Sequence, residues 1–253
     1  MYIADPGTGA IDRQIPLPSG GSRFRLSPRG DRVAFISAGQ LQVMKVDGSS
    51  LVPLAAHVVN MSWSPDGTRL VFDVSTATGA QLHVIGASGA NEAVIPGAVP
   101  GGFAGLAWSP DGARIAFEGM RGGARTIFLV NPDGSDLRDF DLSLPGPDPR
   151  STGEPTWSPD GRQLAFERYD PRTGETRLWV ANVATNEARQ ITSSGGLSDV
   201  RPTWSPGGRM IAFLRFNGGD RSDVYVVAPN GSGARQLTAT PAIREEEPQW
   251  LPR

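Results

Sequence analysis

The side chains best equipped for chemistry in this 253-residue chain recur at fixed distances from a tryptophan. Three places before a Trp, or before the Leu26 that stands in for one, lie Arg23, Asn60, Gly105, Glu154, Arg201 and Glu247. One place before it lie Arg25, Ser62, Ala107, Thr156, Thr203 and Gln249. Alternate residues of a strand share a face, so both sets point one way and form a polar ring of mixed sign wherever such strands converge. His57, Asp199 and the run Glu245-Glu246-Glu247 fall in the loops that enter them. Arginines and carboxylates so arranged can grip a polar ligand or a loop of another protein. The three consecutive glutamates offer oxygen ligands to a hard cation such as Ca2+, although a solvated acidic loop is the plainer reading. No cofactor is expected. The candidate binding residues are therefore Arg23, Arg25, His57, Asn60, Glu154, Asp199, Arg201, Glu245 and Glu247, with no catalytic residue among them.

Other chemistries lack their parts. The chain has no Cys, which removes disulfides, thiolate metal sites and a cysteine nucleophile. His57 and His83 are its two histidines, too few for a three-histidine metal centre and a poor basis for a serine triad. There is no G-x-S-x-G and no phosphate-cradling glycine loop. The 24 basic and 26 acidic residues nearly cancel, so bulk charge recruits neither nucleic acid nor an anionic membrane. No apolar run reaches the roughly 18 residues of a membrane-crossing helix, and direct membrane insertion is not expected. The start MYIADPGTGA lacks the basic and apolar stretches of a signal peptide.

The elements that position the ring come from a repeat. The pattern W-S-P-D-G-x-x-[ILV]-A-F runs from Trp63 to Phe72, Trp108 to Phe117 and Trp157 to Phe166, with Val71 in the Ala place of the first. Altered copies run from Leu26 to Phe35, with Arg29 for Asp, and from Trp204 to Phe213, with Gly207 for Asp. Their serines lie 37, 45, 49 and 47 residues apart, and each Ser precedes its Phe by 8. Ser-Pro-Asp-Gly predicts a tight turn, since Pro fixes φ at the second position and Gly takes a positive φ at the fourth. An apolar strand follows, such as Ile115-Ala116-Phe117, then a third such as Ile127-Phe128-Leu129-Val130. A second turn and a more polar fourth strand (Ala188 to Thr192, Ala234 to Thr238) close the unit. Four antiparallel strands in about 45 residues make one propeller blade. The five Trp of the repeat are expected to wedge between blades, and Trp179, Tyr225 and His83 to pack mid-strand.

The termini carry partial copies. Met1 to Ala4 matches a third strand, Arg13-Gln14-Ile15 a fourth, and Glu247 to Trp250 a first. The fold expected is an all-β, six-bladed propeller forming one domain over 1–253. Its blades lie at about 22–56, 57–98, 102–144, 153–193 and 199–240. A sixth, expected to be three-stranded, is shared between 1–17 and 245–253, so that no sheet edge stays open.

These W-S-P-D-G-x-x-[ILV]-A-F repeats resemble the PD40 (TolB-like) β-propeller family across nearly the whole chain. The resemblance implies the fold more firmly than a function, because sites are grafted on folds. Related propellers include a periplasmic protein-binding module, lids of prolyl oligopeptidase-like enzymes, part of tricorn protease and an oligogalacturonate lyase. What the resemblance implies is a monomeric, non-catalytic scaffold, periplasmic or extracytoplasmic, that binds a protein at its channel mouth. Two alternatives stand beside it. One is a propeller hydrolase or lyase using channel carboxylates such as Glu154 and Glu247 with a bound cation. The other is a glycan- or small-molecule-binding propeller.

Overall fold

The computed structural model describes residues 2–4, 11–14, 18–77, 79–97, 104–121, 124–140, 142, 152–193, 195–216, 221–239 and 248–250. A short hairpin comes first, β1 (Tyr2–Ala4) on β2 (Ile11–Gln14). Blade one holds β3 (Gly21–Leu26), β4 (Arg32–Ser37), β5 (Gln40–Lys45) and β6 (Val52–Ala55). Blade two holds β7 (Val58–Trp63), β8 (Arg69–Thr76), β9 (Gly79–Gly86) and β10 (Ala93–Ile95). Blade three holds β11 (Ala104–Trp108), β12 (Ile115–Arg121), β13 (Ala124–Val130) and β14 (Arg138–Asp139). Blade four holds β15 (Thr152–Trp157), β16 (Gln163–Asp170), β17 (Glu175–Asn182) and β18 (Ala188–Gln190). Blade five holds β19 (Asp199–Trp204), β20 (Ile211–Phe216), β21 (Ser222–Val227) and β22 (Arg235–Gln236). Each blade is an antiparallel meander whose strands neighbour one another in chain order.

The Ser-Pro-Asp-Gly turns form as their residues dictate. Gly30, Gly67, Gly112, Gly161 and Gly208 have φ between +66° and +72°. Each donates its amide to the carbonyl of the serine three places earlier, at 2.8–2.9 Å. That serine's hydroxyl accepts the amide five residues on, as in Arg69 N to Ser64 Oγ at 2.9 Å. It donates in turn to the turn aspartate: Ser64 to Asp66, Ser109 to Asp111 and Ser158 to Asp160. The hydroxyl and the Thr68 hydroxyl and amide hold the Asp66 carboxyl down to about 2.

The core lies between blades. Ala34, Ile36, Leu41 and Val43 of blade one meet Val58, Met61, Trp63 and Phe72 of blade two. The same arrangement joins blades two and three, three and four, and four and five. Trp63, Trp108, Trp157 and Trp204 sit in these seams, buried. Burying about 200 Å² of each indole side chain contributes roughly 5 kcal/mol gross. Trp179 is also buried, and the His83 ring packs tilted against Phe72 with ring centroids 5.3 Å apart.

The expected sixth blade is corrected: the described residues form five four-stranded blades. The N-terminal hairpin is a two-stranded sheet whose strands pair with each other, and Pro248–Trp250 lies outside any strand. Among the described residues no strand pairs one end of the chain with the other. A side-chain clasp joins blade five to blade one. Trp250 Nε1 donates to the Thr203 carbonyl at 3.1 Å, while Gln249 accepts the Leu26 amide at 2.9 Å and donates to the Phe24 carbonyl.

Candidate functional site

The inner strands β3, β7, β11, β15 and β19 converge on a central channel of about 460 Å³, closed on its remaining side by Pro248, Gln249 and Trp250. The structure brings Arg23, Arg25, Asn60, Glu154 and Arg201 together on its wall, with Ser62, Gly105, Thr156 and Thr203 between them. The other candidates lie elsewhere. His57 is exposed at a left-handed turn (φ +59°). Asp199 is fully buried and pairs with Arg215 of its own blade through two hydrogen bonds, at 2.7 and 3.0 Å. That guanidinium lies over the Tyr225 ring at 4.6 Å, so Asp199 is bound into the blade and does not line the channel. Glu245 and Glu247 fall outside the described residues, as does Glu246.

Each inner strand reaches the channel through a β-bulge. An extra residue on one strand kinks the chain and re-aims a side chain. The residue three before the Trp position sits in the bulge. It is left-handed at Arg23 (φ +50°), Gly105 (+58°), Glu154 (+47°) and Arg201 (+56°), but not at Asn60. For a residue with a Cβ that conformation costs about 1–2 kcal/mol, so something must hold it.

At Glu154 and Arg201 two buried carboxylates do so. Glu167 Oε1 on β16 accepts the Arg201 amide at 2.7 Å, across the seam between blades four and five. Glu118 on β12 accepts the Glu154 amide across the seam between blades three and four, with Arg125 Nη1 3.2 Å from its Oε1. Both follow the repeat's Phe, as do Ile36, Asp73 and Leu214 in the other blades. Asp73 has a shorter reach and serves its own blade, accepting the Asn60 amide at 2.5 Å and Asn60 Nδ2 at 3.0 Å.

Their electrostatics follow from burial. Desolvation pushes the Glu167 carboxyl up to about 8, helped by the charges of Glu154 and Glu118 and opposed by the Arg201 amide. It also raises Glu118, against the pull of Arg125, and raises Asp73. At neutral pH Glu167 therefore keeps its proton, and Glu154 is the carboxylate of this group that faces the channel. Among the described residues no group of three or more His, Asp or Glu side chains is arranged to hold a metal ion.

Residues 146–253 match the family model described as PD40, TolB beta propeller domain. No curated protein matches the sequence. Among solved structures the fold is similar to putative TolB from Agrobacterium tumefaciens, with a TM-score of 0.73 and 21% identity over 86% of this chain and 80% of that one. It is similar to TolB from Acinetobacter baumannii, with a TM-score of 0.69 and 20% identity over 84% of this chain and 54% of that one. An oligogalacturonate lyase in complex with manganese matches at a TM-score of 0.66 and 18% identity, over 93% of this chain and 69% of that one. At these identities the likeness is one of fold, shared by binding proteins and enzymes alike. The chain thus carries the TolB-like β-propeller fold, with PD40 repeats matched over residues 146–253.

Proposed function

We propose that this propeller is a non-catalytic scaffold that receives a loop of a partner protein in the polar mouth of its central channel. The observation that supports the reading is the wall itself. Arg23, Arg25, Glu154 and Arg201 come from three different blades to one 460 Å³ space, and three of the four are held in a strained backbone conformation. Strain of this kind persists where the surrounding structure over-determines it, and it concentrates at ligand sites. The large aromatic side chains of the repeat are spent in the seams, which favours a polar protein loop over a stacked sugar as the occupant. The two glutamates beneath the wall are committed to backbone amides, which favours binding over acid–base work.

The test is a photo-crosslinking amino acid placed at Thr203, on the channel wall, and separately at Tyr169, which is exposed near the end of β16 and does not line the channel. A partner protein should be captured from Thr203 and not from Tyr169. The double reversal Arg23→Glu with Arg201→Glu should abolish the capture while leaving the circular dichroism spectrum unchanged. Equal capture from both positions, or capture indifferent to the reversal, overturns the reading.

A further inference from the structure

From blade two to blade five, the strained residues on the channel wall differ in a way that follows the residue after the preceding blade's repeat Phe. Blade three offers Glu118, and the next bulge presents the charged, left-handed Glu154. Blade four offers Glu167, and the next bulge presents the charged, left-handed Arg201. Blade two offers the shorter Asp73, already engaged by Asn60, and the next bulge carries Gly105, which adopts φ +58° without a Cβ penalty. Blade one offers Ile36, which can accept nothing, and the next bulge is not left-handed at Asn60. At Glu154 and Arg201 a carboxylate of the preceding blade reaches the strained position, whereas Arg23 adopts it after blade five, whose residue at that place is Leu214. The approach is also prepared in the sequence, because a Cβ on Gly153 would overlap Glu118 Oε2.

We propose that Glu118 and Glu167 are positioning residues for the partner-binding channel, each fixing the left-handed bulge from which the following blade presents Glu154 or Arg201. The inference rests on the scaffold reading for its purpose and on the geometry for its substance. Protonated Glu167 accepts the Arg201 amide as a neutral hydrogen bond, and ionisation turns it into a stronger, charge-assisted one; in either form it constrains the backbone of the very residue that meets the partner. The groups facing Glu167 are Glu118 from β12, Glu154 from β15 and Arg201 from β19, with Arg125 behind Glu118. The presentation of Arg201 is accordingly proton-linked. Loss of the Glu167 proton adds a negative charge beside Glu154 and strengthens the grip on the Arg201 amide.

The experiment uses the intact chain as wild type, Glu167→Gln and Glu167→Ala. Gln keeps an oxygen that can accept the Arg201 amide and cannot titrate; Ala removes the acceptor. In amide exchange, Arg201 should be protected in wild type and Gln and should exchange at least tenfold faster in Ala. Its amide chemical shift should titrate with a midpoint near 8 in wild type and stay flat in Gln. Equal exchange in all three proteins overturns the inference, as does an unchanged titration in Gln. Should Ala fail to fold, the comparison of Gln with wild type still decides through the titration. Crosslinking from Thr203 should survive in Gln and fall in Ala; capture lost equally in both, with the amide still protected in Gln, also overturns it. A wild type that captures no partner refutes the scaffold reading alone, since the exchange and titration arms need no partner.

Discussion

The seam between blades four and five and the seam between blades two and three are built from the same repeat and are not equally well made. At the first, Trp204 Nε1 donates to the Thr156 carbonyl at 3.2 Å, and the Arg201 amide donates across the same seam to Glu167. At the second, the Trp108 indole N–H is buried without a partner among the described residues, and Asp73 turns back into its own blade. Trp63, Trp157 and Trp250 follow the better pattern, each donating to the carbonyl of the residue just before the preceding blade's Trp position. What distinguishes the weaker seam is the bulge in β7, where the register shift falls between Val58 and Met61 and Asn60 is not left-handed. Geometry at the channel and hydrogen bonding in the seam are therefore one problem: a bulge of the wrong kind costs the next blade its indole bond.

The sharpest way to break the comparison is Gly105→Ala. A Cβ there would lie 2.5 Å from the Glu154 Cα and 2.8 Å from Pro155 Cδ, at a φ that disfavours it. Backbone strain and overpacking together should cost about 3 kcal/mol or more, lowering the melting temperature by roughly 6–12 °C in calorimetry. An unchanged melting temperature would remove Gly105 from the account. A smaller effect follows from pH. The folded Glu167 holds its proton up to about 8, whereas an unfolded Glu loses it near 4.5. The folded state thus binds more protons between those values, and this contribution, fully present below about 4.5, is lost as pH rises through 8. Glu167→Gln should accordingly gain on wild type by several degrees in melting temperature between pH 5 and pH 8.5, and a constant difference across that range would refute the assignment. Smallest is the indole pair. Trp204→Phe should cost about 1 kcal/mol more than Trp108→Phe in urea denaturation, since only the first loses a hydrogen bond; equal costs would mean the Trp108 N–H is satisfied after all.

Much of this was legible in the residues. The Trp and Phe positions located the seams, the Ser-Pro-Asp-Gly turns formed as Pro and Gly dictate, and the described residues three and one before each Trp position line one channel, Glu247 lying outside them. Local chemistry fixes those features, so a local pattern reveals them. The number of blades was not legible, because the partial copies at Met1–Ala4 and Glu247–Trp250 match the repeat residue by residue while lacking the buried strand that would join them. Asp199 was read as a loop carboxylate because its partner, Arg215, lies one strand away. Glu118 and Glu167 were passed over because the apolar strand was read only as far as its Phe, yet the signal was present: an acidic residue immediately after a fully apolar triplet is costly to bury without a purpose.

The indoles reach backwards along the chain, and that gives assembly a direction. Domains are made from the N-terminus, so a blade emerging from synthesis leaves one flank bare until the tryptophan of its successor arrives to cover it. Sticky surface is then confined to the advancing front and to the free flank of blade one, rather than spread over five half-built sheets. Gln249 and Trp250 reach that front after every blade is in place, and by touching blades five and one together they turn a growing stack into a finished circle.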